Sequence, residues 1–249
     1  MPKLTIVAGP NGAGKSTSAP ALLSPGTPYV NADEIAKMLP GPGKDVQASR
    51  ILLETWDTFA GQGASFAIET TLASRTLAPR VKALKEAGYE FVLYFFWLPD
   101  VELCIARVAE RVRRGGHDIP EETIRRRYAA GVKNFFELYQ PLADEWRFYD
   151  NINPPARVKI ASGRYTKTDS VILPGTWDRI RKDYEKMADD RIQEERASYA
   201  AYDDIDRRLA AAIRAAILDH KLHNNPICTM RDGKVVWIQP EDIVIDEDE

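Results

Sequence analysis

Leu4-Thr5-Ile6-Val7-Ala8-Gly9-Pro10-Asn11-Gly12-Ala13-Gly14-Lys15-Ser16 decides the fold. Its first five residues are apolar or β-branched and stop at a glycine, which predicts a buried parallel strand. Gly9 to Ser16 then carry the phosphate-loop spacing, with a strand before it and a helix expected after it, the setting that this spacing requires. Glycines let successive N–H groups turn inward on a β-phosphate, and the N-terminus of the following helix adds partial positive charge. Lys15 can then reach β and γ oxygens, and the Ser16 hydroxyl can ligate Mg²⁺. Asn11, Gly12, Ala13 and Gly14 supply the cradle, and Thr17 stands beside the nucleotide. The residues therefore call for a nucleoside triphosphate.

Working outward, Tyr29-Val30-Asn31 reads as a second strand, residues 46–61 as a helix with Ile51, Leu52, Thr55 and Phe59 at helical spacing, and 65–69 as a third strand. Residues 76–87 form the next helix, and 89–97 are the most apolar strand, expected to be central or covered on both faces. Residues 147–150 and 157–161 close this half as strands. The alternation predicts right-handed βαβ units and a parallel sheet with helices on both faces, an α/β class. Two helical segments, 101–114 and 121–142, interrupt it; Gly115-Gly116 stop the first and Pro120 starts the second, so a lid is expected there. The core is expected over 1–162. Residues 163–249 are expected as a helical extension: a loop, a charged helix over 177–220 that bends or breaks, then a hairpin turning at Asp232-Gly233, then an acidic tail.

A chain of 249 residues with 44% apolar content can bury a large core, and a net charge of −3 argues against a nucleic-acid substrate. Cys104 and Cys228 are far apart without metal spacing and are expected as two buried, reduced thiols. The first residues run straight into a strand, and the apolar run 91–98 is too short to span a bilayer, so a cytoplasmic protein is expected.

Three further groups carry chemistry. Asn31-Ala32-Asp33 ends the second strand, where open α/β sheets put their ligands. Asp33 can take a proton from an attacking hydroxyl; the competing reading is that it only caps the helix starting at Glu34. Glu69-Thr70-Thr71 ends the third strand, where Glu69 can hold a substrate hydroxyl or a Mg²⁺-bound water. The lid is rich in arginine at 107, 111, 113, 114, 125, 126 and 127, and guanidinium forks suit the charge that develops in phosphoryl transfer.

Gly9 to Thr17, Asn31-Ala32-Asp33, Glu69-Thr70-Thr71-Leu72 and Arg111 through Gly115-Gly116-His117-Asp118-Ile119-Pro120 to Arg127-Tyr128 together resemble the zeta toxin family of P-loop kinases. The resemblance implies a five-stranded parallel sheet of three-layer kinase type, transfer of the γ-phosphoryl group of ATP to a sugar hydroxyl of UDP-N-acetylglucosamine, and a toxin role checked by a partner antitoxin. By position it makes Lys15 and Ser16 the phosphate-loop residues, Asp33 the base, and Glu69 and Thr71 sugar-nucleotide contacts. Two lid arginines thirteen positions apart bind phosphate in the family; Arg114 with Arg127, or Arg113 with Arg126, fits that spacing. Ala73 and Lys37 stand where relatives carry arginine. Two other readings stay open on the residues: a P-loop ATPase or nucleotide switch acting through a partner, and a polynucleotide kinase.

Overall fold

The computed structural model describes residues 1–116, 118–154 and 156–244, with side chains at 191, 192, 194–206 and 210 left aside. His117 of the lid motif and the last five acidic-tail residues lie outside the described residues. The chain divides into two compact units, Met1–Met187 and Ala188–Glu249.

In the first unit, strand β1 (Lys3–Ala8) leads into a short helix α1 (Lys15–Ser18) and a 3₁₀ turn at Ala19–Ala21. The helix ends after one turn because Pro20 cannot donate the N–H that would continue it. Strand β2 (Tyr29–Asn31), helices α2 (Ala32–Met38) and α3 (Lys44–Gly61), strand β3 (Phe66–Thr70), helix α4 (Leu77–Glu86) and strand β4 (Glu90–Trp97) follow. Then come α5 (Val101–Arg113), α6 (Glu121–Asn134), a π-helical turn (Phe135–Tyr139), and strands β5 (Glu145–Asp150), β6 (Val158–Arg164) and β7 (Lys167–Val171).

The sheet order is β2-β3-β1-β4-β5-β6-β7. The first five strands are parallel, as expected, and β6 and β7 add an antiparallel edge. Strand β7 replaces the expected loop. Its Lys-Thr-Asp-Ser-Val sequence lies on an exposed edge, where no apolar alternation is needed to mark it. Central β4 shows why its sequence is unbroken by polar residues. Phe91, Leu93, Phe95 and Trp97 enter one core with Trp56, Phe135, Phe148 and Trp177, whereas Val92, Tyr94 and Phe96 enter the other with Cys104, Val108 and Ile124.

Helix α7 (Pro174–Leu222) begins in the first unit. Trp177 and Ile180 are buried there, and Trp177 stacks on Trp146 at 5.6 Å, so residues 163–187 complete the core expected over 1–162. Helical conformation runs from Pro174 to Leu222; no proline or glycine follows Gly175 within it, and alanine, glutamate and arginine favour helix.

In the second unit, β8 (Ile227–Arg231) and β9 (Lys234–Ile238) form the expected hairpin. Asp232 and Gly233 both take positive φ (48° and 74°), as the tight turn demands. Cys228 is exposed on this two-stranded ribbon rather than buried. Among the described residues, no helix is long and apolar enough to cross a membrane.

Candidate active site

Parallel pairing brings every functional loop to one edge of the sheet. Val7 is level with Glu69, Ala8 with Thr70, and Asn31 with Glu69, so the strand ends of β1, β2 and β3 converge where the phosphate loop begins. The loop needs its glycines for space as well as for backbone freedom. Gly9 sits at φ +141°, and a Cβ there would lie 2.2 Å from the Phe96 carbonyl oxygen, so only glycine lets the turn clear β4. Lys15 is 7% exposed, and its Nζ donates to the Pro10 carbonyl at 3.0 Å, folded back over the loop where β and γ phosphates are held in this motif.

Glu69 is the hub of the site. Its Oε2 accepts from the Ser16 hydroxyl at 2.8 Å, the Tyr29 hydroxyl at 2.5 Å and Asn31 Nδ2 at 2.9 Å, and Oε1 lies 3.7 Å from Lys15 Nζ. Burial and the adjacent Glu69 charge push the Tyr29 phenol far above its ordinary range, so it stays a neutral donor. The Ser16 hydroxyl and the Glu69 carboxylate form a pair of hard oxygen donors of the kind Mg²⁺ takes beside phosphate oxygens.

Asp33 is not the helix cap. Asn31 caps α2, its Oδ1 accepting from the Asp33 N–H at 2.8 Å, which frees the Asp33 carboxylate for another use. That carboxylate lines a cleft of about 560 Å³ together with Asn11, Lys15, Glu69, Thr70, Thr71 and the lid residues Arg126 and Arg127. The cleft lining thus joins phosphate-loop residues, hydroxyls, carboxylates and guanidinium groups.

The lid arginines separate by position. Arg127 Nη1 donates to Asn11 Oδ1 at 3.4 Å. Arg113 and Arg114 point outward, each paired with Glu110 of their own helix, so neither thirteen-residue pair meets across the cleft. Arg125 forms an exposed pair with Glu102, and Arg111 is half-buried without lining the cleft. Arg107 turns inward and donates to the carbonyls of Gly12 at 3.3 Å and Asn151 at 3.1 Å, and also to that of Ile152. Thr17 is exposed on α1.

Three contributors have no mark in the sequence that singles them out. Tyr29 reads as ordinary strand material, and nothing local signals its contact with Glu69. Asn151 is fully buried; it donates to the Ala13 carbonyl and accepts from the Ser18 hydroxyl at 3.3 Å, bracing the phosphate loop from the end of β5. Arg107 groups with the lid arginines by sequence, but its service is to the loop backbone.

The sequence model of the AAA domain family matches residues 4–131, which include the phosphate loop, Asp33, Glu69, α5 and most of α6. An uncharacterized protein of Haemophilus influenzae is 30% identical over 129 residues, 51% of this chain and 92% of that protein. Among solved structures, the AvrRxo1-ORF1:-ORF2 complex with ATP matches 72% of this chain with a TM-score of 0.57 at 19% identity. This chain spans 63% of that protein's chain. The PezAT chromosomal toxin–antitoxin system of Streptococcus pneumoniae matches 78% of this chain and 87% of its own with a TM-score of 0.52 at 15% identity. This chain shares with these structures a P-loop α/β fold of the kinase-like type.

Proposed function

Because the chain belongs to the AAA domain family, we propose that it is an ATP-dependent kinase, transferring the γ-phosphoryl group to a hydroxyl of a small molecule. A nucleotide sugar such as UDP-N-acetylglucosamine is the first candidate acceptor. The observation that carries this reading is a single cleft lined by Lys15 and Asn11 of the phosphate loop together with Asp33, Thr70, Thr71, Arg126 and Arg127. A switch or simple hydrolase needs only water opposite the γ-phosphate, and the hydroxyl and carboxylate side chains of this cleft support a hydroxylated acceptor instead.

In this reading the loop amides and Lys15 hold the triphosphate. Asp33 orients the acceptor hydroxyl and takes its proton as the oxygen bonds to the γ-phosphorus and the bond to the β–γ bridging oxygen breaks, releasing ADP. Arg127, with Arg126 beside it, stabilises the charge spread over the transferring group. Mg²⁺ held by Ser16 and Glu69 would neutralise β and γ phosphate charge. Glu69 serves the metal and loop side in this scheme, and Thr70 and Thr71 serve the acceptor. A cytoplasmic location and a restraining partner protein, an antitoxin as in the PezAT toxin–antitoxin system, complete the proposal.

The test is incubation with Mg-ATP and a panel of UDP-sugars and nucleosides, followed by mass spectrometry for the gain of one phosphoryl group. Asp33→Asn should lose that product and still bind ATP. ATP turnover with no phosphorylated acceptor would point to a switch instead.

A further inference from the structure

Leu72 is fully buried and sits at φ +61°, a left-handed conformation that a branched residue keeps only where its surroundings hold it. The hold comes mainly from α6 and the π-helical turn that follows. Asn134, 4% exposed, donates from Nδ2 to the carbonyls of both Leu72 (2.8 Å) and Ala73 (3.1 Å). The Tyr139 hydroxyl donates to the Ser74 carbonyl at 2.8 Å. Gly131 lets α6 come so close that a Cβ there would stand 2.7 Å from the Thr71 carbonyl oxygen. From within the loop, Thr70 Oγ1 accepts from the Leu72 N–H at 3.1 Å.

The π turn explains how residues 131, 134 and 139 reach one short segment. Its added residue rotates the following side chains, bringing Tyr139 to the face that Gly131 and Asn134 already present. The turn is itself fixed in the core: Phe135 packs edge-on to Phe95 at 5.3 Å, and Phe136 stacks on Tyr184 at 4.7 Å. The clamped segment belongs to the cleft lining, to which Thr70, Thr71 and Ser74 contribute, and in the kinase reading it is the acceptor side.

We propose that Asn134 is a positioning residue for the acceptor: by holding Leu72 and Ala73 in the left-handed turn, it sets the Thr70 and Thr71 hydroxyls against Asp33. The proposal rests on the kinase reading for what those hydroxyls bind, but the clamp can be tested without it.

Asn134→Asp, which keeps the shape but loses the donor, and Asn134→Ala are compared with the wild-type chain by hydrogen exchange, by binding of a fluorescent ATP analogue, and by kinetics with UDP-N-acetylglucosamine and ATP. Exchange over residues 72–76 should quicken about tenfold, with nucleotide affinity held within about twofold. The KM for the acceptor should rise about tenfold while kcat changes less than about threefold. Unchanged exchange at 72–76, acceleration spread evenly over the first unit, or loss of nucleotide affinity in step with acceptor affinity would each overturn the proposal. If the wild-type chain phosphorylates no acceptor, the kinase reading fails, and exchange with nucleotide binding still decides whether Asn134 holds the loop.

Discussion

Replacing Tyr29 by phenylalanine removes one donor from Glu69 and leaves the ring in place. The Glu69 side chain is 8% exposed, and its Oε2 takes hydrogen bonds from Tyr29, Ser16 and Asn31. A hydrogen bond to a charged group contributes roughly 1.5–3 kcal/mol, and with two donors and Lys15 left to share the charge the loss should sit near the low end, about 1.5 kcal/mol. For a chain of this size that lowers Tm by about 3–6 °C. Urea unfolding at pH 7, followed by tryptophan fluorescence, reports the first unit, because Trp56, Trp97, Trp146 and Trp177 are buried and Trp237 is exposed. In a Glu69→Gln background the same substitution should cost less, about 1 kcal/mol, the central value for neutral partners. The pH dependence has a definite sign. The phenol's folded pKa is raised above the unfolded value of about 10, so its contribution is complete below pH 10 and falls as the unfolded chain ionises above it. The wild-type chain should therefore lose stability faster than Tyr29→Phe from about pH 10 to 11. Equal losses with and without Glu69, or parallel pH curves, would refute the hub.

Lys15→Ala should weaken ATP binding by at least about tenfold, measured by titration calorimetry, since it removes a charge-assisted contact to phosphate. Gly9→Ala should fail to fold or bind nucleotide, because the added carbon meets the Phe96 carbonyl at 2.2 Å; circular dichroism and nucleotide titration check this. A thiol assay should count one fast cysteine: Cys228 is exposed, whereas burial closes off Cys104 and pushes its pKa up to about 12, and Cys228→Ser should abolish the fast phase. Trp177→Ala should cost about 3–5 kcal/mol in urea unfolding, and a chain cut after Met187 should stay folded where one cut after Ser162 does not.

Legibility in the sequence follows how local each signal is. The β1 strand, the phosphate loop and the Asp232-Gly233 hairpin are visible because a few adjacent residues with special backbone or pattern requirements define them. Strand β7 is invisible because an exposed edge imposes no apolar period, and the outward Cys228 because a cysteine's neighbours in sequence say little about which surface covers it. Whether Asp33 caps α2 turns on Asn31, two residues away, whose side chain takes the capping hydrogen bond.

The sequence by itself determined the chemistry class of the loop, the alternation that makes a parallel sheet, and the cleft edge to which Asp33, Glu69 and the lid belong. Those properties reside in spacing along the chain, and hydrogen-bond geometry converts spacing into position. Tertiary structure alone decided that Tyr29 and Asn31 share the Glu69 carboxylate, that Arg127 faces Asn11 while Arg114 turns to Glu110, that Asn151 and Arg107 brace the loop, and that Asn134 grips Leu72. These are contacts between residues up to 138 positions apart, as Asn151 is from Ala13, and only packing of the sheet and its helices sets which side chains meet.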